Sequence, residues 1–331
     1  MKFGVIGSGS WGTALAKILL DNGNEVIWCV RSQKIADHIN QRHHNPAYLS
    51  SVYFDTSRLQ VCIDPVEVFK TADHIILAVP SAYVDGYIQT AIPYFSREFS
   101  LVSAVKGLLP EKNLLLNHYL RDSIGVDESR YLAIMGPCHA EEVAAEKLSY
   151  LTFAGTDSQR VSLLASAFSN AYIQTVCSSD VNGVQYAAVL KNIYALGTGM
   201  ASGLGYGDNF QSVLVANAAG EMKRFLQAVR DAGHEQINHA ASVYLGDLLV
   251  TCYSLFSRNR SFGNMIGKGY RVEAAKLSMQ MVAEGYPASK CIHEINRVKQ
   301  VDLPIVETIY SILWEGEDAE MAFSQLEKKL I

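Results

Sequence analysis

Short apolar runs separated by polar stretches dominate the first 180 residues of the chain. The runs are continuously apolar and stop at glycine, proline or polar residues. Such strands are typical of a parallel sheet that helices cover on both faces. The predicted strands span residues 3–6, 25–30, 73–80, 101–105, 131–135, 150–154 and 173–177. Residues 35–60 are polar and weakly periodic, which predicts a helix and a surface loop.

The pattern changes after Asp180, where helical spacing of apolar residues continues to the end of the chain. Residues 181–207 are almost wholly apolar or small. Further helices are predicted at residues 212–232, 238–252, 271–285, 288–300, 304–314 and 318–330. A chain of 331 residues is long enough for two domains with separate cores. We therefore expect one domain at residues 1–180 and an all-helical domain at residues 181–331.

A glycine-rich turn joins the first predicted strand to the first predicted helix. Residues 7–12 read GSGSWG, with an apolar strand before them and helical spacing after them. In this setting Gly7 permits a tight turn, Gly9 lets the backbone approach a pyrophosphate, and Gly12 lets the helix pack on the strand. The alternative is a glycine-rich turn without a ligand. The motif favours a dinucleotide-binding Rossmann domain, so the predicted fold class is α/β: a doubly wound, mostly parallel sheet followed by an all-α C-terminal domain.

Arg31 closes the second predicted strand, where a dinucleotide-binding domain meets the adenosine ribose. An acidic residue there binds the 2′-hydroxyl group of NAD, whereas an arginine suits the 2′-phosphate of NADP. Arg31 therefore favours NADPH or the use of both cofactors. The alternative is an arginine that stacks on adenine without discriminating between them.

Composition excludes several classes of protein. The formal net charge of −5 argues against nucleic-acid binding, and no apolar run is long enough for a membrane span, so we expect no stable membrane insertion. Six cysteines are scattered without a C-x-x-C pair, which predicts reduced thiols and a cytoplasmic protein. His43 and His44 lack partners at ligand spacing, so no metal site is predicted.

A lysine and a glycine each follow directly after the end of a predicted strand. Lys106 comes directly after residues 101–105, and Gly136 comes directly after residues 131–135. Ligands of parallel α/β sheets bind beyond the carboxyl ends of the strands. We therefore expect Lys106 and Gly136 to face one crevice.

Three features of the second half contain candidate functional residues. Lys191 is the one charged residue of positions 181–207, and a buried lysine needs a partner or a wet cleft; otherwise its amine must reach the surface. Asp247 lies among apolar residues and fits a helix N-cap as well as a functional site. Residues 257–264 (SRNRSFGN) predict a loop rich in phosphate-binding side chains, with a solvated surface turn as the alternative.

Taken together, these motifs resemble the NAD(P)-dependent sn-glycerol-3-phosphate dehydrogenases of the bacterial type. The resemblance runs nearly end to end and rests on GSGSWGTA (7–14), VKGL (105–108), GPCHAEE (136–142), GVQYAAVLKNIYALGTGM (183–200), GDLLVTC (246–252) and SRNRSFG (257–263). The family usually has Ser or Thr, then Phe, after Gly-Pro. This chain has Cys138 and His139 instead.

The resemblance implies roles for particular residues. Lys191 would be the general acid/base. The implied substrate-binding residues are Lys106, Gly136, Cys138, Lys191, Asn192, Asp247, Thr251, Ser257, Arg258 and Asn259. The implied cofactor-binding residues, which include the three glycines of the loop, are Gly7, Gly9, Ser10, Trp11, Gly12, Arg31, Lys106, Ala140, Arg258, Val282 and Glu284.

The implied activity is the reversible, NAD(P)H-dependent reduction of dihydroxyacetone phosphate to sn-glycerol 3-phosphate, which supplies glycerophospholipid synthesis. The implied partner is a small phosphorylated substrate, and a homodimer is an expectation. One alternative is another reductase with a Rossmann domain and a helical domain, acting on a hydroxy acid or sugar phosphate. A second alternative is a dinucleotide-sensing protein without turnover.

Overall fold

The computed structural model describes residues 1–229, 237–279 and 283–331. The chain forms two compact units. The first comprises Met1–Val105 and Leu116–Val181, and the second comprises Lys106–Leu115 and Asn182–Ile331. Residues 106–115 were expected in the first domain, whereas they group with the second unit. The expected domain limits, 1–180 and 181–331, stay a prediction.

An eight-stranded sheet forms the centre of the first unit, in the described part of the chain. The strands are β1 (Lys2–Ile6), β2 (Glu25–Cys29), β3 (Leu59–Cys62), β4 (His74–Leu77), β5 (Ser100–Ser103), β6 (Tyr131–Met135), β7 (Ser149–Gly155) and β8 (Ile173–Ser178). Their spatial order is β3-β2-β1-β4-β5-β6-β7-β8, and all neighbours are parallel except β6 and β7. The order reverses direction at β1, as in a doubly wound sheet, and the predicted fold class is confirmed.

Helices cover this sheet. They are α1 (Ser10–Asp21), α2 (Gln33–Arg42), α3 (Pro65–Thr71), α4 (Ser81–Ala91), α5 (Leu116–Tyr119), α6 (Ala140–Ala144) and α7 (Ser158–Phe168). Phe3 and Trp28 of the central strands are fully buried, together with Phe153 of β7 and Phe168 of α7. Large apolar side chains therefore fill the layer between sheet and helices, which makes the sheet a rigid support for the loops at its edges.

Strand β3 was not predicted from the sequence. Residues 35–60 were assigned to a helix and a surface loop, whereas the strand begins at Leu59. β3 is an edge strand of four residues, and only Leu59 and Cys62 at its two ends are buried. A strand this short with two buried residues has too few apolar positions to show a strand pattern.

The second unit is helical in its described residues. Its helices are α8 (Val181–Gly203), α9 (Asp208–Val229), α10 (Asp247–Tyr253), α11 (Arg258–Gly267), α12 (Val272–Ser278), α13 (Gly285–Lys299), α14 (Pro304–Tyr310) and α15 (Ala319–Leu326). A π-helical turn, Ser242–Gly246, leads into α10, and another, Ser311–Glu315, extends α14. No helix among the described residues combines the length and apolar character that a membrane crossing demands.

Two predicted elements of the second unit are wrong. Residues 258–264 form the first turns of α11 and not a loop, because Ser257 accepts a hydrogen bond from the Arg260 N–H (3.3 Å) and Phe262 and Ile266 are buried one turn apart. The helix predicted at residues 271–285 ends early, since α12 ends at Ser278 and Met279 has extended backbone angles; residues 280–282 of that prediction lie outside the described part of the chain.

Helices α8 and α11 meet through glycines. A Cβ atom on Gly263 would lie 2.1 Å from the Leu196 carbonyl oxygen, and one on Gly267 would lie 2.2 Å from the Met200 carbonyl oxygen. These contacts advance by four residues on both helices, so the two helices run parallel with their backbones touching. Close packing of this kind aligns the start of α11 with the middle of α8, where Lys191 lies.

Candidate active site

The glycine-rich loop of the first unit has the shape that a dinucleotide requires. Gly7 has a φ of +124°, and a Cβ atom there would lie 2.3 Å from the Ala78 carbonyl oxygen. A Cβ atom on Gly12 would lie 2.2 Å from the Gly7 carbonyl oxygen. In contrast, a Cβ atom on Gly9 would have no neighbour within 4 Å. Packing of the protein itself thus requires the first and third glycines, while the second leaves room for the pyrophosphate of a cofactor.

Helix α1 begins at this loop without a side-chain cap among the described residues. Gly9 is its N-cap residue, and Ser10 and Trp11 form its first turn. The N–H groups of a first turn have no partner within the helix, and the helix dipole adds partial positive charge there. An uncapped N-terminus next to the open side of Gly9 therefore suits a phosphate group.

Arg31 lies at the end of β2, as the sequence predicted. Its backbone N–H donates to the Ser8 hydroxyl (3.3 Å), which ties the strand end to the glycine-rich loop. Its exposed guanidinium lies 5.9 Å from the centre of the Tyr48 ring. Tyr48 was not predicted as a site residue, because an aromatic residue in a polar, weakly periodic stretch gives no local signal. Arg31 and Tyr48 together offer a cation and a flat ring at the place expected for adenosine.

The segment after β6 is held against β7. Gly136 has a φ of +132°, and a Cβ atom on it would lie 2.6 Å from the Tyr150 carbonyl oxygen. The Cys138 thiol donates to the same oxygen (3.1 Å), which places the Cys138 side chain inside the first unit. Ala140 follows as the first residue of α6, with His139 at the N-cap. Roles for Gly136, Cys138 and Ala140 in binding stay predictions.

Lys191 and Asp247 form a buried ion pair in the second unit. Lys191 lies in the middle of α8 with 4% of its surface exposed, and Asp247 is 1% exposed. The Lys191 Nζ donates to Asp247 Oδ1, and among the described residues Asp247 Oδ2 has no hydrogen-bond partner. Burying two charges is costly, so this pair is weak evidence for stability and stronger evidence for function.

The structure excludes two alternatives that the sequence left open for these residues. Lys191 does not reach the surface, because its amine is buried against Asp247. Asp247 is not an N-cap, because α10 continues directly from the π-helical turn before it and Gly246 already has helical angles. One turn later, the Thr251 hydroxyl donates to the Asp247 carbonyl oxygen (2.6 Å), which holds the start of α10 in place.

A chain of amide hydrogen bonds crosses the same region. The Gly285 N–H donates to Asn259 Oδ1 (2.9 Å), Asn259 Nδ2 donates to Asn192 Oδ1 (2.9 Å), and Asn192 Nδ2 lies 3.3 Å from the Lys106 carbonyl oxygen. A backbone N–H can only donate and a carbonyl can only accept, so both ends of the chain fix the orientation of the two amide groups. The network gathers α8, α11, α13 and the segment that begins with Lys106.

Helix α11 begins with the residues predicted to bind phosphate. Ser257 is buried and caps the helix through its hydroxyl group, while Arg258 is the exposed first residue. Guanidinium and helix N-terminus are both favourable to an anion. The half-buried Glu284 is the N-cap residue of α13. Val282 lies outside the described residues.

The predicted site residues thus fall into two groups. The first unit holds Gly7, Gly9, Ser10, Trp11, Gly12, Arg31, Gly136, Cys138 and Ala140. The second unit holds Lys106, Lys191, Asn192, Asp247, Thr251, Ser257, Arg258, Asn259 and Glu284. Expectations that join the two groups, such as one crevice shared by Lys106 and Gly136, stay predictions. The described residues contain no cluster of three or more side chains that could hold a metal ion.

Two family models match almost the whole chain. The model described as NAD-dependent glycerol-3-phosphate dehydrogenase N-terminus matches residues 2–161, and the model of the C-terminus of the same enzyme matches residues 180–324. The chain belongs to this family. The matches confirm the resemblance that the sequence motifs indicated, and they cover both the glycine-rich loop and the Lys191–Asp247 pair.

Individual relatives agree with this assignment. A glycerol-3-phosphate dehydrogenase (NAD(P)+) from Bacillus velezensis is 32% identical over 326 residues, covering 98% of this chain and 93% of the relative. The crystal structure of glycerol-3-phosphate dehydrogenase from Coxiella burnetii has a TM-score of 0.90 at 27% identity and covers 98% of both chains. A 2-dehydropantoate 2-reductase from Methylococcus capsulatus shares only the fold, with a TM-score of 0.62 at 15% identity, and covers 95% of this chain and 96% of its own.

Proposed function

We propose that the chain catalyses the reversible, NAD(P)H-dependent reduction of dihydroxyacetone phosphate to sn-glycerol 3-phosphate, and so supplies glycerophospholipid synthesis. The observation that carries the proposal is the buried Lys191–Asp247 pair in a chain that matches this enzyme family in both of its halves. The pair offers a proton donor, and the glycine-rich loop fits a dinucleotide.

In this proposal Lys191 is the general acid. A nicotinamide cofactor held at the glycine-rich loop would supply the hydride for the carbonyl carbon. Lys191 Nζ gives a proton to the carbonyl oxygen as negative charge develops on it, and takes the proton back in the reverse direction. Asp247 orients the amine through Oδ1, and Thr251 holds the backbone of Asp247.

Arg258 is the proposed phosphate ligand. It is exposed at the first position of α11, where the helix dipole and the guanidinium both favour an anion. Lys106 adds a second positive charge, and Asn192 holds its backbone carbonyl (3.3 Å). The remaining proposed substrate residues are Gly136, Cys138, Ser257 and Asn259.

The proposed cofactor is NAD or NADP. Gly7, Gly9 and Gly12 shape the loop, and Arg31 favours NADPH because its exposed guanidinium, 5.9 Å from the centre of the Tyr48 ring, suits a 2′-phosphate. The remaining proposed cofactor residues are Ser10, Trp11, Lys106, Ala140, Arg258, Val282 and Glu284. We also propose a cytoplasmic location and a homodimer, the latter testable by analytical ultracentrifugation.

A comparison of three substrates in one assay tests the function. The purified protein is mixed with NADPH or NADH, and oxidation of the cofactor is followed with dihydroxyacetone phosphate, unphosphorylated dihydroxyacetone or 2-dehydropantoate. Rapid oxidation with dihydroxyacetone phosphate alone is the expected result. Preference for 2-dehydropantoate would support the alternative reductase, and cofactor binding without any oxidation would support the sensing protein.

A further inference from the structure

Asn45 is a fully buried asparagine in the segment that follows α2. It has 0% of its surface exposed and belongs to the first unit, although it lies far from the glycine-rich loop in the sequence. Its Nδ2 donates to the Ser8 carbonyl oxygen (3.1 Å) and to the Thr13 hydroxyl (2.9 Å). Its Oδ1 accepts from the Ala47 N–H (3.0 Å). Both ends of this amide are therefore in use.

The orientation of these hydrogen bonds is determined. The Ala47 N–H can only donate and the Ser8 carbonyl can only accept, so the amide oxygen and nitrogen of Asn45 cannot be exchanged. The Thr13 hydroxyl accepts from Asn45 and donates its own hydrogen to the Gly9 carbonyl oxygen (2.8 Å). Asn45 thus acts on Ser8 directly and on Gly9 through Thr13.

These contacts fix two peptide groups of the loop. In a planar trans peptide the C=O and N–H bonds point in opposite directions. When the Ser8 carbonyl is held by Asn45, the Gly9 N–H must point away from Asn45. When the Gly9 carbonyl is held by Thr13, the Ser10 N–H must point away from Thr13. These are N–H groups at the uncapped start of α1, beside the open side of Gly9.

We propose that Asn45 is a positioning residue for the cofactor: it holds the Ser8 and Gly9 peptides so that their neighbouring N–H groups face the pyrophosphate of the dinucleotide. The inference rests on the proposed function, since it presumes a dinucleotide at the loop. Asn45 acts through the backbone of the loop and not by contact with the cofactor.

Asparagine is the side chain that this position requires. Aspartate has the same shape and still accepts from the Ala47 N–H, but it has no hydrogen to donate and sets a charged oxygen against the Ser8 carbonyl. That repulsion turns the Ser8–Gly9 peptide. The carboxylate also adds negative charge near a phosphate site. Valine at position 13 keeps the branched shape of threonine but removes the hydroxyl that accepts from Asn45 and donates to the Gly9 carbonyl, so that only the backbone N–H of position 13 (3.0 Å) still donates to that carbonyl.

Asn22 provides a matched control. It is the C-cap residue of α1, at the other end of the same helix. Its Nδ2 also donates to two acceptors, the carbonyl oxygens of Ala167 (2.8 Å) and Ser169 (3.1 Å), and its Oδ1 accepts from Asn170 (3.0 Å). Asn22→Asp therefore removes the same kinds of hydrogen bond from α1 without touching the loop.

The experiment measures the dissociation constant of NADPH by fluorescence titration, together with kcat and both KM values. We expect Asn45→Asp to weaken NADPH binding by at least about tenfold, with kcat at saturating cofactor and the KM for dihydroxyacetone phosphate within about twofold of the wild type. Thr13→Val should weaken binding in the same direction and Thr13→Ser should restore it. Asn22→Asp should leave NADPH binding unchanged.

The outcomes separate this inference from the proposed function. A wild-type protein that binds no dinucleotide would remove the proposed function itself. Normal binding and turnover by the wild type, combined with unchanged binding in Asn45→Asp and Thr13→Val, would overturn the role of Asn45 alone. Equal losses in Asn45→Asp and Asn22→Asp would show general destabilisation of α1 and would also overturn it. If Asn45→Asp fails to fold, the comparison of NADPH binding by Thr13→Val and Thr13→Ser tests the proposal instead.

Discussion

Lys191 and Asp247 show how one buried pair couples folding to chemistry. Neither side chain reaches solvent, and Lys191 Nζ is held by a carboxylate from a different helix, 56 positions along the chain. A buried charge that loses its partner is destabilising, whereas the intact pair contributes little net stability. Substitutions of Lys191 therefore change folding and turnover together, and the two effects have to be separated.

Lys191→Met tests the acid/base role. We expect kcat to fall by at least roughly a hundredfold, the scale of general acid catalysis. The free energy of unfolding should also fall by about 3–5 kcal/mol, because the Asp247 carboxylate is left buried without its cation. Adding Asp247→Asn should recover part of the stability and none of the turnover. Steady-state kinetics and urea denaturation measure the two effects, and a kcat near that of the wild type would exclude Lys191 as the acid.

Arg258→Ala tests whether the site recognises the phosphate group of the substrate. We expect kcat/KM for dihydroxyacetone phosphate to fall by an amount equal to about 2–5 kcal/mol, because a desolvated phosphate loses its charged partner. The loss should be much smaller for unphosphorylated dihydroxyacetone, and Arg258→Lys should recover activity only in part. Arg260→Ala, two positions along α11, is the control and should have little effect. Equal losses on both substrates would show that Arg258 does not bind phosphate.

At the scale of elements, the contact between α8 and α11 decides where the second group of site residues lies. The two helices pack with glycine against backbone, so the start of α11 is held level with Asn192, and Asn259 and Asn192 are hydrogen-bonded at 2.9 Å. The hydrophobic pattern showed that α8 is buried. The pattern did not show that α11 packs against α8, because a glycine that permits close approach of two helices looks the same in sequence as a glycine in a turn.

Gly263→Ala tests this contact. The added methyl group would lie 2.1 Å from the Leu196 carbonyl oxygen, and backbone cannot move aside as a side chain can. We expect a loss of about 1–3 kcal/mol in the free energy of unfolding, the usual cost of overpacking, together with reduced activity. Gly220→Ala in α9 is the control, because its nearest neighbour is the tip of Arg224 at 3.6 Å, and it should be neutral or stabilising. Equal stability of both variants would contradict the close packing.

At the scale of the whole molecule, one contribution to the response to pH comes from Glu221, a buried carboxyl group in the second unit. Glu221 of α9 accepts hydrogen bonds from the N–H groups of Ile305 (2.5 Å) and Val306 (3.4 Å) at the start of α14. Those bonds and the charge of Arg224 favour the ionised form, but burial is the larger effect and raises the pKa of Glu221 to about 8. Tyr194 and Asp302 also face this carboxyl group.

Glu221 should therefore make the protein less stable as the pH rises. Its pKa is about 8 in the folded chain against a usual value of 4.5, so the folded state holds a proton that the unfolded state releases. The contribution to stability is fully present below pH 4.5 and is lost as the pH rises to about 8. Thermal unfolding of the wild type and Glu221→Gln across this range measures it. The difference between the two melting temperatures should change with pH, and a constant difference would contradict the raised pKa.

The sequence by itself determined the features that are local. The strand–GSGSWG–helix pattern located the dinucleotide loop, continuous apolar runs located the interior strands, and the isolation of Lys191 marked it as a functional candidate. Each of these signals arises because backbone conformation and burial constrain residues that are close together in the chain. The order of the motifs was enough to indicate the family that the comparisons then showed.

The tertiary structure alone decided which distant groups meet. It identified Asp247 as the partner of Lys191, placed Asn45 against the Ser8 carbonyl, added the edge strand β3 and made the start of α11 a helix instead of a loop. It also grouped the segment Lys106–Leu115 with the second unit. For the two polar pairs and for β3 the physical reason is the same: a sequence shows that a polar group must be satisfied or a strand paired, but packing decides which distant residue does so.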